Sequence, residues 1–232
     1  MTDQSVTIPQ SPLVVGSVDN LDQLACLEPD KLPALCDILE VRLEGMAGHR
    51  EALEIELDRF EDIPLLLTAR CAEEGGLADI SCAERAELLL ALSARASWID
   101  VELASFNDMA DAVCQIRAKG VGLILSYHNF TETPAESELQ HLIDLGKEAD
   151  ILKLALCHND LQDLVRCAHV LSANDRPMSM MGMGKLGPVS RLLYAQHGSL
   201  LNYGYLGETP TAPGQWPAGL LKQAIAALEV TV

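Results

Sequence analysis

Short, nearly all-apolar runs alternate along the chain with longer stretches whose apolar positions recur at helical spacing. The runs predict eight strands, at 13–18, 38–43, 64–70, 99–103, 122–128, 151–156, 178–183 and 201–205. The stretches between and after them predict helices at 20–27, 47–60, 82–96, 106–119, 134–147, 159–172, 189–196 and 220–228, the first capped by Asn20. Strands that are apolar on both faces suit a parallel sheet covered by helices. Eight strand–helix units in 232 residues are what an α/β fold of the (β/α)8 TIM-barrel type requires, with an open doubly wound sheet as the alternative. The barrel is favoured because Glu40, Arg42, Arg70, Glu102, His128 and Lys153 stand toward the C-terminal ends of their strands, where barrel enzymes assemble their sites. Residues 1–11 read as an N-terminal tail and 12–232 as one barrel domain, with no linker, low-complexity segment or internal repeat dividing them.

Within the sixth strand, Lys153 interrupts Ile151-Leu152-Lys153-Leu154-Ala155-Leu156. An unpaired buried ammonium is costly, so such a lysine is held in an ion pair, reaches out to solvent, or sheds its proton and acts as a nucleophile. Its leucine neighbours, together with Arg42, Arg70 and Arg191 expected at the same mouth, read as a setting that favours the neutral amine. Glu40 and Arg42 share one face of their strand and are either a structural salt bridge or part of a site. Arg70 suits a contact to an anion or hydroxyl and precedes a loop, Cys71-Ala72-Glu73-Glu74-Gly75-Gly76, that presents an acid. His128 is expected one strand from Lys153, a credible proton-transfer partner. The remaining histidines show no ligand spacing, so no metal is expected.

Gly182-Met183-Gly184-Lys185-Leu186-Gly187 matches the dinucleotide pattern GxGxxG, but too little chain follows it to complete such a fold. A glycine-rich seventh loop that brings backbone close to an anion explains it better, with Ser190-Arg191 opening the next helix. Thr211-Ala212-Pro213-Gly214-Gln215 forms a turn carrying a hydroxyl and an amide toward the same mouth.

Charge narrows the partners. Sixteen lysines and arginines against 34 acids, a net charge of −18, argue against nucleic acid and anionic membrane. The apolar runs are too short to span a bilayer, and the N-terminus lacks a signal-peptide pattern, so a cytoplasmic protein with its seven cysteines as free thiols is expected. The Asn129-Phe130-Thr131 triplet carries no weight as a glycosylation acceptor in that setting.

In chain order the motifs are Glu-x-Arg at 40–42, Thr-x-Arg at 68–70 followed by Glu-Gly-Gly, Asp-x-Glu-Leu at 100–103, Ser-x-His-x-Phe at 126–130, the lysine strand, Gly-x-x-Ser-Arg at 187–191 and Ala-Pro-Gly-Gln at 212–215. Together they make the chain resemble the type I 3-dehydroquinate dehydratases, Schiff-base-forming barrel enzymes of the shikimate pathway, from about Pro12 to Leu228. The resemblance implies that Lys153 forms an imine with the ketone of 3-dehydroquinate, that His128 moves protons, and that Glu74 orients the histidine. It also implies substrate contacts from Ser17, Glu40, Arg42, Arg70, Arg191, Thr211 and Gln215, no cofactor, and room for a homodimer. Thr211 stands where the family usually has serine, Glu44 where aspartate is common, and Asn129 where aspartate follows the histidine. A Schiff-base aldolase on the same barrel and an inactive barrel kept as a binding module are the competing readings.

Overall fold

The computed structural model describes residues 6–228. In chain order its elements are β1 (Leu13–Val18), α1 (Leu21–Cys26), α2 (Leu32–Leu35), β2 (Ile38–Arg42), α3 (Arg50–Leu57), β3 (Leu65–Thr68), α4 (Cys82–Leu92), β4 (Trp98–Glu102), α5 (Ala110–Arg117), β5 (Gly122–Asn129), α6 (Glu136–Leu145), β6 (Ile151–Cys157), α7 (Leu161–Ser172), β7 (Met178–Met183), α8 (Gly187–Gln196), β8 (Leu201–Tyr205), β9 (Trp216–Pro217) and α9 (Ala218–Leu228). The expected alternation is present, and the bounds of the first, seventh and eighth strands coincide with those expected. Asn20 caps α1, its side-chain oxygen accepting from the Gln23 amide at 2.9 Å. The helix expected at 47–60 is broken: 3-10 segments at Leu43–His49 and Asp58–Phe60 flank the short α3. Close packing explains the first, since a Cβ on Gly45 would overlap the Asp19 carbonyl oxygen. The two-residue β9 and the four-residue α2 are too short for periodicity to reveal.

All adjacent strands pair in parallel, in the order β7-β6-β5-β4-β3-β2-β1-β8-β9. The ring closes between β7 and β8 largely through serines. The Leu200 amide donates to the Met178 carbonyl at 2.9 Å, the Met180 amide donates to Ser199 Oγ at 3.0 Å, and Ser179 Oγ donates to the Leu201 carbonyl. Beyond that seam β9 occupies the free edge at the C-terminal end of β8, which brings residues 211–215 to the barrel mouth.

Alternation along each strand sorts side chains into two populations. Val14, Val18, Leu39, Val41, Leu65, Leu67, Ile99, Val101, Leu123 and Leu125 face outward against the helices, as do Leu152, Leu154 and Leu156. Inside, Val15, Ile38, Leu66, Trp98, Ile124, Ile151 and Leu201 pack an apolar base, against which Val6 and Ile8 of the N-terminal segment also lie. One step toward the C-terminal end, the interior positions turn polar: Ser17, Glu40, Thr68, Asp100, Ser126, Lys153 and Ser179, all buried. The fold therefore supplies a dry floor beneath a ring of hydrogen-bonding and charged groups, the condition under which electrostatic interactions act strongly.

Candidate active site

Lys153 faces the interior with Ser126 and Ser179 opposite it on the neighbouring strands. Its Nζ lies 2.8 Å from Asp100 Oδ2, 3.9 Å from Glu40 Oε1 and 4.0 Å from the centre of the Tyr203 ring. This corrects the expectation of an apolar setting, while the expected cations Arg42, Arg70 and Arg191 do line the same pocket. Residues adjacent in sequence on a strand point to the opposite face, so Leu152 and Leu154 describe the helix layer and not the amine's surroundings. The amine instead has a carboxylate partner.

Asp100 is shared between two cations. Arg70 Nη2 also lies 2.8 Å from its Oδ2, and Ser126 Oγ donates to its Oδ1 at 2.6 Å. Burial alone would raise the Asp100 carboxyl, but Arg70 and then Lys153 hold it well below the usual carboxylate range. Arg70 continues the network, its Nη1 approaching Glu102 Oε1 at 3.2 Å and donating to Ser126 Oγ at 2.6 Å. Glu102 in turn holds Arg85 of α4 at 2.6 Å. Lys153, Asp100, Arg70, Glu102 and Arg85 thus alternate in sign from the barrel centre to the helix layer. Arg70 lines the pocket, yet its guanidinium is committed to this network and held firmly charged by Asp100 and Glu102 despite burial.

Glu40 and Arg42, read as a charged pair, do not pair with each other. Glu40 accepts from Ser17 Oγ at 2.5 Å and Thr68 Oγ1 at 2.8 Å, while Arg42 binds Glu44 at 2.6 Å. Arg42 Nη2 also donates to the Gly75 carbonyl at 3.1 Å, tethering the loop that carries Glu74. Gly75 turns that loop at φ 87°, and a Cβ there would sit 2.7 Å from the Phe130 ring.

On β5, His128 Nδ1 lies 2.9 Å from Glu74 Oε2, which also accepts from the His128 amide at 2.9 Å. Burial pushes both groups toward their neutral forms. It lowers His128 well below its ordinary value, with Arg70 and Lys153 adding to the shift, and raises Glu74 to about 7. Ionised Glu74 would take the Nδ1 proton's hydrogen bond and leave Nε2 as the free base.

These shifts oppose each other in their effect on stability. Between pH 4.5 and about 7 the folded chain keeps a proton on Glu74 that the unfolded chain has released, so this group adds stability as pH falls through that window. Below pH 6.5 the unfolded chain protonates the His128 ring while the folded chain resists, so stability is lost as pH falls. Glu74→Gln removes the first contribution alone. Its unfolding free energy should therefore drop more steeply than the wild type's from about pH 7 to about pH 5 in denaturant titrations; parallel curves would contradict the Glu74 environment described here.

The opposite wall is built by α8 and the turn before β9. Arg191 is 2% exposed; its Nη1 donates to the Tyr203 carbonyl at 2.8 Å, and its Nε has no hydrogen-bond partner among the described residues. Burial lowers its pKa to about 10. Thr211 donates from both its amide, at 2.9 Å, and its Oγ1, at 2.7 Å, to Gln215 Oε1, which leaves the Gln215 NH2 free to donate into the pocket. Ser190, expected beside an anion, is instead buried under the seventh loop, accepting from the Gly182 amide at 3.0 Å and donating to the Gly187 carbonyl at 2.8 Å. The glycines here serve packing: a Cβ on Gly182 would overlap Ser190 and His158, and one on Gly187 would meet the Gly214 Cα at 3.3 Å. His158 is locked in the same region between Thr133 and Tyr194, at 2.8 and 2.6 Å.

A single pocket is lined by all ten residues singled out from the sequence: Lys153, His128, Glu74, Ser17, Glu40, Arg42, Arg70, Arg191, Thr211 and Gln215. Asp100, Ser126 and Tyr203 complete its chemistry and were not singled out. For Asp100 the signal was available, because it stands two residues before Glu102 on one strand and must share its inward face. Among the described residues no group of three histidine, cysteine or carboxylate side chains is placed to hold a metal ion.

The chain and its fold have known counterparts. The family model for type I 3-dehydroquinase matches residues 17–231. The 3-dehydroquinate dehydratase of Methanocella arvoryzae is 33% identical over 205 residues, covering 88% of this chain and 91% of the relative. That of Klebsiella pneumoniae is also 33% identical, over 227 residues, covering 88% of each chain. A solved type I 3-dehydroquinate dehydratase from Clostridium difficile, with covalently modified comenic acid, superposes with a TM-score of 0.82 at 26% identity, covering 98% of this chain and 96% of that one. The 3-dehydroquinate dehydratase of Geobacillus kaustophilus, at 23% identity, shares the fold with a TM-score of 0.84, covering 95% of this chain and 92% of that one. With the fold shared and the family model matching nearly the whole length, the chain belongs to the type I 3-dehydroquinase family.

Proposed function

We propose that this protein is a lyase that dehydrates 3-dehydroquinate to 3-dehydroshikimate through an imine on Lys153, acting in the shikimate pathway in the cytoplasm. The observation that carries the reading is the placement of the Lys153 amine in the same pocket as the His128–Glu74 pair on the adjacent strand. Asp100 Oδ2 divides its charge between Lys153 and Arg70, so the ammonium is held in place but not as tightly as in an isolated pair. His128, kept as a free base by burial, is suited to accept the ammonium proton and to start imine formation. The neutral amine adds to the ketone carbon, the oxygen leaves as water, and the resulting iminium, with Asp100 as countercharge, withdraws electrons from the neighbouring C–H bond. A base removes that proton, the electron pair shifts into an enamine, and the β-hydroxyl departs as a second water after taking a proton from His128. Hydrolysis of the imine returns the amine.

Arg191 supports an anionic substrate. It is a buried guanidinium paired with no carboxylate among the described residues, and a ring carboxylate arriving in the pocket would supply the missing charge. Arg191→Ala should raise KM by ~30-fold to ~5,000-fold, matching the ~2–5 kcal/mol lost when one partner of a desolvated charge pair is truncated. A carboxamide analogue of the substrate should be nearly insensitive to the mutation, and equal losses for both ligands would rule out the contact. Substrate turnover itself is tested by following the conjugated enone absorbance on adding 3-dehydroquinate. A Schiff-base aldolase acting on the same ketone would instead break a ring C–C bond, giving one open-chain product and no enone signal.

A further inference from the structure

Tyr203 of β8 points into the barrel, 3% exposed, and lines the pocket. Its ring lies under Lys153, 4.0 Å from Nζ, where its π face stabilises a positive nitrogen, ammonium or iminium alike. That accounts for the ring and leaves the hydroxyl unexplained. The buried phenol oxygen has no hydrogen-bond partner among the described residues. A buried hydroxyl without a partner costs folding free energy, and phenylalanine would fill nearly the same space without that cost. Groups kept at the expense of stability cluster where a ligand completes them.

We infer that Tyr203 is a catalytic residue whose hydroxyl donates a hydrogen bond to the oxygen on the substrate carbon that Lys153 attacks. The inference rests on the imine reading above and deepens it. The ring lies 4.0 Å from Nζ in the pocket that both residues line, which puts the phenol on the same side of the pocket as the nitrogen that forms the new bond. The nearest acids cannot serve as that donor. Asp100 is ionised, held so by Arg70 and Lys153, and Arg70 is already committed to Asp100, Glu102 and Ser126. Tyr203 keeps its proton, because burial and then the charges of Glu40 and Asp100 oppose its ionisation.

The step balances without further reactants. Ketone plus ammonium gives iminium plus one water: the C–N bond forms, the ketone oxygen becomes the carbinolamine hydroxyl, and that hydroxyl leaves with a second proton as C=N forms. Tyr203 transfers no proton in the net reaction; its hydrogen bond polarises the carbonyl toward attack and holds the carbinolamine oxygen as it departs.

Exchange of the ketone oxygen of 3-dehydroquinate with ¹⁸O-water, read by mass spectrometry, reports imine formation and reversal separately from elimination. In Tyr203→Phe the exchange rate and kcat should each fall by ~10-fold or more, with KM changing less than about threefold and Tm unchanged or raised. Exchange at the wild-type rate in Tyr203→Phe would overturn the role of the hydroxyl, and so would slower exchange accompanied by a lowered Tm, which marks a packing role. Wild-type enzyme whose 3-dehydroshikimate keeps the ketone oxygen of 3-dehydroquinate in place of one from ¹⁸O-water would refute the imine itself, a failure distinct from that of Tyr203.

Discussion

Lys153→Met should lower kcat by ~10⁴-fold or more while leaving the barrel folded. Methionine is unbranched and close to lysine in length, so it refills the interior position between Ser126 and Ser179. Breaking a buried ion pair commonly costs ~3–5 kcal/mol because the remaining charge is stranded. Here Asp100 keeps Arg70 at 2.8 Å and Ser126 at 2.6 Å, so the cost should fall toward the lower end of that range. Chemical denaturation checks the fold, and the enone assay checks the rate. Residual turnover within 100-fold of wild type in a folded variant would show that the electron sink lies elsewhere.

The second large effect concerns the proton carrier. His128→Gln should reduce kcat by ~10²–10⁴-fold, the range expected when a positioned general acid–base is lost. Glutamine retains a polar group near Glu74 but cannot accept and return a proton near neutrality. In the wild type, Glu74 ionises near pH 7, which fixes the Nδ1–H toward the carboxylate and strengthens Nε2 as a base. The wild-type kcat/KM should therefore rise with pH through that region, and the variant should lose this acid limb along with the rate. A variant that kept the limb would move the titrating group away from this pair.

Much of this was legible in the chain because parallel barrel strands leave a strong mark. A polar residue inside an otherwise apolar run has to face the interior or be wasted, and that rule alone points to Lys153, Glu40, Arg42 and His128. The same rule, applied at spacing two, would have added Asp100 to Glu102 and Ser126 to His128. It fails at β8. In Leu201-Asn202-Tyr203-Gly204-Tyr205 the polar Asn202 suggests the wrong inward phase, whereas its side chain donates to the Leu13 and Ser199 carbonyls and Tyr203 is the residue that turns inward. Tyrosine is also an ordinary strand former, so nothing local marks its role.

Other misses share a cause in tertiary packing. The helix expected at 47–60 is shortened because its approach presses against the turn after β1, a contact between segments that periodicity cannot register. The glycine pattern at 182–187 suggested a ligand cradle, but Gly182 is needed for the side chains of Ser190 and His158, and Gly187 for the backbone at Gly214. Arg70, read as a contact to an anion or hydroxyl, does line the pocket, and tertiary packing adds what its own strand could not show, the ion pairs to Asp100 and Glu102. The identity of the partner of Lys153 is the most consequential miss, since Asp100, shared with Arg70, stands 2.8 Å from the amine where leucine neighbours suggested an apolar setting.

Borohydride added during turnover of 3-dehydroquinate decides whether that amine is the nucleophile. Reduction of a lysine imine fixes the ligand to the chain, and peptide mass spectrometry then locates it. The adduct should appear on Lys153 in the wild type and be absent from Lys153→Met. An adduct on Lys31, Lys119, Lys147, Lys185 or Lys222, or dehydration that proceeds with no adduct formed, would contradict the mechanism.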